Sequence, residues 1–534
     1  MVAFRLCLAL VLLSSPVWSQ TNRYMVFFND KIGTPHSINQ PSTFLSDRAL
    51  QRRAKAMVAV ATPEDLPVTP SYVTQIRATG AKAFFTTRWM NGVLIEATPT
   101  IVVTITALPF VSSVEYVAPN QRLLGGRKGR VLNPGNVSAS TDNQLRMLGL
   151  DSMHQDGFEG EGVIIAVLDS GFPGVESTMP FQAIRDGSQI KLTTDFITNS
   201  TNVYQFDDHG TRVFSVIAAE TTAYQGAATK ANYLLFVTED VPTEYRVEEY
   251  NWLFAAERAD SAGADIIQSS LGYNEFDDPA MDYSTSQLNG NTAVVSKAAK
   301  YAQQRGIIVV VSAGNLGSTP WQLITSPADV NGILAVGAVS FNGTKAAFSS
   351  IGPNAIGTIK PDVAAPGLDV SVITSTGQSE TESGTSVATP LVTSLVAGLI
   401  QAYPQMRPDD IIRSIRWSSS MASNPNNEIG FGIPSYLAVK NYLDRSGYII
   451  NAYPNPATST FWVSMAYVPI DPVEIIIYDC LGKLVLEAKV PITWENNPLP
   501  INVSVLGAGV YILRITISQP NGYVGLNTFR FVKY

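Results

Sequence analysis

At 534 residues the chain is too long for a single domain, and its 45% apolar residues are ample for hydrophobic cores. A net charge of −8 supplies no basic surface for nucleic acid or for an anionic membrane. The composition therefore argues against a nucleic-acid-binding protein and favours a globular protein of several domains.

Residues 1–19 predict a secretory signal peptide that directs the chain to the periplasm. They carry a cation at Arg5, an apolar run too short to cross a membrane comfortably, and small residues before Gln20. Cys7 is removed with this segment, which leaves Cys480 as the one cysteine of the mature chain. Its strand-like surroundings predict that Cys480 is a small buried hydrophobe.

Residues 20–121 predict a small α+β unit. RYMVFFNDK, which begins at Arg23, is strand-like, and the stretch 93–120 reads as strand, short helix and strand. Between them a helix is predicted with four cations on its polar side, at Arg48, Arg52, Arg53 and Lys55. We expect this side to be a solvated helix face, and a partner-binding patch is the alternative.

Residues 144–445 alternate buried strands with helices. The apolar runs VIIAVL, GIIVVVSAGN and GILAVGAVS are typical of strands in a parallel sheet, and helical patterns such as TAVVSKAAKYAQQRG lie between them. This alternation predicts an α/β fold with right-handed crossovers. Its ligand site is expected at the carboxyl ends of the strands, where Asp169 and Asn315 fall.

Four strings in this region supply the groups for acyl transfer by a nucleophilic serine. They are VLDSG with Asp169, DDHGT with His209, SAGN with Asn315 and GTSVATP with Ser386. A serine hydroxyl needs a base such as His209, and Asp169 would orient that imidazole. Asn315 would donate its amide to the oxyanion that forms on the attacked carbonyl. Each string alone is more typical of a turn or loop, but their conjunction predicts a catalytic site.

These strings resemble those of the subtilisin-like serine peptidases. Two further strings share the resemblance: SSLG at Ser269–Gly272 and KPDVAAPG at Lys360–Gly367. The resemblance runs from about Gln144 to Tyr442 and implies a parallel-sheet subtilisin-like catalytic domain. It implies a catalytic triad and an oxyanion-hole donor at the four residues already named. It also implies four substrate-binding residues: Ser270, Leu271, Gly272 and Leu316.

The function expected from this resemblance is a secreted endopeptidase that hydrolyses polypeptides through an acyl-enzyme on Ser386. The chemistry requires no cofactor. Calcium, which many relatives bind, stays open because no carboxylates show convincing metal-ligand spacing. A catalytically silent binding or adhesion protein on the same fold is the alternative, and the intact Asp169, His209, Asn315 and Ser386 argue against it.

The residue after the oxyanion asparagine bears on substrate preference. Leu316 stands where relatives often carry a polar or acidic residue. Because an apolar wall without a buried carboxylate does not compensate a buried Lys or Arg, we expect large apolar or aromatic residues on the acyl side of the cut bond. Entry of a carboxylate such as Asp329 into the pocket would change that preference.

The N-terminal unit also resembles part of a known precursor. Its tail, Val111 to Pro119, resembles the inhibitor-type propeptide of the same peptidases. The resemblance implies an intramolecular chaperone and inhibitor that leaves its end in the substrate cleft. The basic, glycine-rich residues 122–143 would then be an exposed processing linker, with an ordinary surface loop as the alternative.

Residues 450–534 predict an all-β sandwich of short strands separated by turns such as CLGK and LGAG. YPNP, YDCLGK and LGAGVYILRI resemble the C-terminal sorting domain of cargo for the bacterial type IX secretion system. The resemblance implies recognition by the secretion machinery and an extracellular or cell-surface location. A carbohydrate- or protein-binding β-domain is the alternative.

Overall fold

The computed structural model describes residues 21–119, 141–446, 450–465, 472–491, 498–518 and 524–534. The predicted signal peptide and most of the predicted linker lie outside these ranges. Within them the chain forms an N-terminal α+β unit, a central α/β unit and a C-terminal β unit.

The N-terminal unit combines an antiparallel sheet with three helices. Its elements are β1 (Asn22–Phe28), α1 (Asp47–Lys55), α2 (Pro70–Ala78), β2 (Lys82–Thr87), β3 (Gly92–Ala97), α3 (Pro99–Thr106) and β4 (Val111–Pro119). The strands lie in the order β2-β3-β1-β4. Alternate residues of β1 face opposite sides, so Tyr24 and Val26 enter the unit's own core while Met25 packs against the central unit.

The central unit begins with α4 (Asp142–Met147) and α5 (Leu150–Gln155). The first two residues of α4 belong to the predicted linker. Its first half continues with β5 (Ile164–Asp169), α6 (Gln182–Asp186), β6 (Ile190–Asp195), α7 (His209–Ala218), β7 (Asn232–Val237), α8 (Val247–Ala262) and β8 (Ile266–Ser269). Its second half holds α9 (Val294–Gln304), β9 (Ile308–Ser312), β10 (Leu334–Val339), β11 (Val363–Pro366), β12 (Val370–Ile373), β13 (Ser379–Glu382), α10 (Thr385–Ala402), α11 (Pro408–Ser418) and α12 (Tyr436–Ser446).

A seven-stranded parallel sheet organises the central unit, as predicted. The strand order is β11-β10-β9-β8-β5-β7-β6. Its strands are buried on both faces: Ile165 and Val167 of β5 join the core with α7 and α10, while Ala166 and Leu168 join the core with α8 and α9. Strands β12 and β13 form a separate antiparallel hairpin.

The basic side of α1 is not a solvated face, so that prediction is wrong. Arg52 and Arg53 are 6% and 0% exposed, and both donate to the carboxylate of Asp260 on α8. Arg88, in the turn between β2 and β3, donates to the same carboxylate. The partner-binding alternative is the correct one, and the partner is the central unit of the same chain.

The C-terminal unit consists of two antiparallel sheets that share one core, as the prediction of a sandwich requires. Its strands are β14 (Ile450–Tyr453), β15 (Thr460–Met465), β16 (Val473–Asp479), β17 (Leu484–Val490), β18 (Leu499–Asn502), β19 (Gly509–Ser518) and β20 (Val524–Lys533). The sheets have the orders β14-β15-β18 and β17-β16-β19-β20. Phe461 and Val463 of the first sheet pack with Ile475 and Leu513 of the second.

Cys480 is exposed, which corrects the prediction that it is buried. It follows the last residue of β16, in the turn that leads to β17. Asp479 Oδ1 accepts from the backbone N–H groups of Leu481 and Lys483, both over 2.9 Å. The string YDCLGK therefore ends a strand in a side-chain-stabilised turn rather than continuing it.

Helix α10 is the one helix, among the residues described, that is long and apolar enough to cross a membrane by length and composition. In the structure 83% of it is buried inside the protein. It contributes Leu391 and Leu395 to the core on one face of the central sheet. Its apolar character is accounted for by this core position.

Candidate active site

Asp169 and His209 meet at the carboxyl end of the central sheet. Asp169 is the last residue of β5 and is fully buried, and His209 is the first residue of α7. His209 Nδ1 donates to Asp169 Oδ1 over 2.7 Å. A proton on Nδ1 makes Nε2 the basic nitrogen of the neutral ring, which is the tautomer that a general base needs.

The close approach of α7 to β5 depends on Gly210. A Cβ atom at this position would lie 2.3 Å from the carbonyl oxygen of Gly171 and 3.0 Å from Cβ of Asp169. Any larger residue would therefore push the start of α7 away from the end of β5. The glycine that follows His209 is a requirement of the Asp169–His209 contact.

A second carboxylate, that of Asp207, fixes the same corner. Its Oδ1 accepts from the backbone N–H of His209 over 2.9 Å and from Ser170 Oγ over 3.1 Å. The backbone N–H of Ser170 in turn donates to Asp169 Oδ1 over 2.8 Å. Sequence reasoning assigned no role to Asp207, although an aspartate two residues before a helix start is a known backbone-binding position.

Ser386 is the second residue of α10 and is 2% exposed. Its carbonyl oxygen accepts from Ser270 Oγ over 2.7 Å, which ties the start of the helix to the segment after β8. The start of an 18-residue helix carries partial positive charge, which favours negative charge that develops beside it. The predicted nucleophile thus lies beside the predicted substrate-binding segment.

Asn315 is held in one orientation by the residue before Ser386. The backbone N–H and the hydroxyl of Thr385 donate to Asn315 Oδ1 over 2.8 and 2.9 Å. Because the amide oxygen receives both bonds, Nδ2 is the end of the amide that is directed away from Thr385. This orientation presents a donor, as an oxyanion hole requires.

A cleft of about 470 Å³ opens beside these groups. His209 and Asn315 line it, as do all four predicted substrate-binding residues: Ser270, Leu271, Gly272 and Leu316. Asp169 is connected to the cleft through His209, and Ser386 through its bond to Ser270. The structure therefore brings every residue predicted for the site to one location.

The cleft also holds a buried carboxylate that sequence reasoning did not place there. Glu239, two residues after β7, is 3% exposed and lines the cleft. Asp329, the residue considered for this role, is instead fully buried and accepts from Gly290 N and Ser296 Oγ over 2.7 and 2.6 Å. Leu316 lines the cleft as expected, and the apolar preference next to the cut bond stays a prediction.

Glu239 belongs to a group of three carboxylates. Oxygen atoms of Glu239, Glu244 and Glu248 lie within 4.8 Å of one another. Glu239 Oε1 accepts from Tyr273 OH over 2.6 Å and from Thr238 Oγ1 over 2.9 Å. Burial, together with the charges of Glu239 and Glu248, raises the pKa of Tyr273 well above its usual value. Of the three, Glu239 is the one that lines the cleft.

The three glutamates are also the one set of residues in the described part of the chain whose geometry suits a metal ion. Carboxylate oxygens are ligands that calcium accepts. The sequence signal was weak, because the spacing in VTEDVPTEYRVEE follows no metal-binding loop pattern and spans a strand end and a helix start.

Three family models match the chain, one for each structural unit. The model described as "Subtilase family" matches residues 160–432, slightly more than half of the chain. The model "Peptidase S8 propeptide domain, Bacteroidota" matches residues 23–129, and "Secretion system C-terminal sorting domain" matches residues 451–522. The resemblances inferred from the N-terminal tail and from the C-terminal turns are confirmed by the last two matches.

Curated relatives share the central unit. Subtilisin NAT of Bacillus subtilis subsp. natto is 31% identical over 242 residues, which cover 44% of this chain and 55% of that protein. Serine protease AprX of Bacillus subtilis (strain 168) is 29% identical over 292 residues, which cover 47% of this chain and 60% of that protein. The chain spans about half the length of the curated relatives it matches.

A solved structure of MycP1 with its N-terminal propeptide removed aligns with 56% of this chain and 96% of its own, at 23% identity and a TM-score of 0.44. The family assignment depends on the sequence matches and on the site. The subtilase model covers the residues from the start of the Asp169 string to beyond Ser386. The chain belongs to the subtilase family.

Proposed function

We propose that this chain is the precursor of a secreted serine endopeptidase. The observation that carries the proposal is the junction of three elements at one cleft. The His209 ring is oriented by Asp169, and the Asn315 amide is oriented by Thr385, next to Ser386.

The proposed chemistry uses these groups in a fixed order. Ser386 Oγ attacks the carbonyl carbon of the substrate while His209 Nε2 takes the hydroxyl proton, and Asp169 stabilises the resulting imidazolium. Asn315 Nδ2 donates to the oxyanion of the tetrahedral intermediate. His209 then passes the proton to the leaving amine, which gives an acyl-enzyme on Ser386. Water then attacks the carbonyl carbon of that ester while His209 Nε2 takes a proton from it. His209 returns the proton to Ser386 Oγ, which leaves as the carboxylic acid product is released.

The N-terminal unit is proposed to keep the enzyme inactive until it is processed. It covers the face of the central unit formed by α8, and its last strand, β4, ends at Pro119. Glu115 on β4 accepts from Arg246 Nη1 over 3.2 Å and from Tyr250 OH over 2.5 Å. These contacts hold the N-terminal unit on the central unit, and its match to a propeptide domain supports the inhibitory role.

Labelling with a fluorophosphonate tests the proposed activity directly. The reagent should attach to Ser386 of the processed enzyme, as located by mass spectrometry of peptides, and should abolish cleavage of casein. Ser386→Ala should remove the label. A processed protein that takes up no label and cleaves no peptide would support the alternative, a catalytically silent binding protein.

Asn315→Ala is expected to lower kcat/KM by about two to three orders of magnitude, the range known for loss of one oxyanion donor, including that of subtilisin. Asn315→Asp keeps the oxygen that accepts from Thr385 but removes the amide donor, so it should lose at least as much. Kinetics on a peptide ester and a peptide amide check this. A decrease of less than threefold in both variants would remove Asn315 from the oxyanion hole.

The C-terminal unit is proposed to be the export signal recognised by the secretion machinery, which agrees with its match to a sorting domain. Its core contains only residues of the unit itself, and all proposed catalytic residues lie upstream. Ending the chain at Gly447 should therefore leave peptidase activity unchanged while the enzyme accumulates in the periplasm. Fractionation with activity assays checks both parts. Equal export of the truncated and full-length enzymes would assign the unit another role, such as substrate binding.

A further inference from the structure

We infer that Glu239 makes this enzyme select a Lys or Arg side chain in the substrate, at the second to fourth residue before the cut bond. The inference builds on the proposed endopeptidase activity and names a feature of its substrate. The preferred substrate would then carry two features: this cationic residue, and the apolar residue next to the cut bond that Leu316 is expected to favour.

The charge of the cleft is the first argument. Two carboxylates, those of Asp207 and Glu239, line it, and no lysine or arginine is among its described lining residues. Glu239 is held in place by hydrogen bonds from Tyr273 and Thr238 to one carboxylate oxygen. Because the carboxylate is 3% exposed, its attraction for a cation is little screened by salt.

The neighbouring glutamates strengthen this attraction. Glu244 and Glu248 place carboxylate oxygens within 4.8 Å of those of Glu239, so like charges repel one another there. A guanidinium or ammonium group that enters would relieve this repulsion.

Two buried polar groups indicate that the ligand is a peptide rather than a bare metal ion. Asn274 and Thr325 line the same cleft and are 8% and 3% exposed. Asn274 Nδ2 and Thr325 Oγ1 have no hydrogen-bond partner among the residues that the structure describes. An amide N–H requires an acceptor such as a peptide carbonyl, and a metal ion supplies none.

The strand order gives the position along the substrate. Ser270–Gly272 follow β8 and Glu239 follows β7, which lies two strands away in the order β8-β5-β7. Two strand spacings are about 10 Å. An extended peptide advances about 3.3 Å per residue, so about three residues separate the two positions.

The N-terminal unit shows which side of the cut bond is meant. Strand β4 contacts Arg246 and Tyr250 at the start of α8, next to Glu244 and Glu248. The N-terminal unit precedes the bond proposed to be cut, so the residues that it contacts at the start of α8 lie on the side of the substrate before that bond. Residues before the cut bond form the acyl side, so the glutamates belong to that side.

The sequence of the chain's own first substrate fits this assignment. Residues 120–140, which directly follow β4, contain no aspartate or glutamate. They contain four cations: Arg122, Arg127, Lys128 and Arg130. The segment that would be cut during maturation thus complements the charge of the cleft.

Cleavage of a positional library of fluorogenic tetrapeptides by the processed enzyme tests the inference. The ratio of kcat/KM for Lys or Arg to that for Gln should be at least tenfold at one of the second to fourth positions. Glu239→Gln should reduce this ratio to threefold or less, and Glu244→Gln should reduce it in part. Glu275→Gln removes an exposed carboxylate beside Asn274 and should leave the ratio unchanged.

Three results would overturn the inference. An active enzyme with no cationic preference would do so, as would a preference that Glu239→Gln and Glu244→Gln both retain. The third is micromolar binding of calcium that Glu239→Gln abolishes, measured by isothermal titration calorimetry, because the group would then be a metal site. An enzyme that cleaves no library peptide and takes up no fluorophosphonate would instead contradict the proposed activity itself.

Discussion

Ser386→Ala is expected to leave the full-length precursor uncut, with the N-terminal unit still covalently attached to the central unit. The reason is that the bond after the N-terminal unit would be the enzyme's first substrate, and the variant lacks the attacking hydroxyl. Mass spectrometry and N-terminal sequencing of the purified protein measure the result. Peptidase activity should fall to background in the same preparation.

The matched control is Ser394→Ala, a substitution of the same type in the same helix. Ser394 is fully buried, and its hydroxyl donates to the carbonyl of Pro390 over 2.9 Å, far from the cleft. This variant should be processed and active. Normal processing of Ser386→Ala would show that a second protease matures the chain.

The central sheet, and the position of the proposed catalytic residues at its edge, were predictable because their signals are local. A continuous apolar run that ends in Asp169 indicates a buried strand with a polar side chain at its carboxyl end, whatever the rest of the chain does. The same holds for the run that ends at Asn315. Parallel strands bring such ends together, so the sheet alone predicts that these side chains share one edge.

The wrong predictions concern contacts between residues distant in sequence. Arg52 and Arg53 form a polar stripe on α1, which is usually solvated, but their partner Asp260 lies 208 and 207 residues away. The position of Glu239 in the cleft was not predicted for a similar reason, because an acidic residue after a strand normally belongs to a turn. Its burial depends on Tyr273, 34 residues later. Periodicity carries no information about such pairs.

Asp260→Asn is expected to weaken the complex between the N-terminal unit and the processed enzyme. The protein concentration at which the two dissociate should rise by about two orders of magnitude or more. Breaking a buried ion pair from one side costs about 3–5 kcal/mol. Each 1.4 kcal/mol is about a tenfold change in affinity. Peptidase activity measured over a dilution series of the processed complex checks this, because inhibition is lost when the N-terminal unit dissociates.

The contacts of Asp260 explain the size of this effect. Its Oδ1 accepts from Arg52, and its Oδ2 accepts from Arg88 and from Arg53, the last over 2.7 Å. Burial alone would raise the pKa of Asp260, but the charges of Arg52, Arg88 and Arg53 outweigh it and hold the pKa below its usual value. The carboxylate is thus ionised, and without it the cations remain buried with less compensation.

The choice of residue keeps the test specific to the interface. Within the described part of the chain, the side chains that donate to the Asp260 carboxylate all belong to the N-terminal unit, so asparagine should not disturb the processed central unit once the two have separated. Arg48→Ala is the control at the same interface. Its side chain is 39% exposed and pairs with Asp265, and it also donates to the carbonyls of Gly263 and Gly162 over 3.0 and 2.7 Å. Because a partly exposed ion pair contributes about 0–1 kcal/mol, this variant should have the smaller effect. Equal, small effects of Asp260→Asn and Arg48→Ala would show that apolar packing, and not the buried charges, holds the two units together.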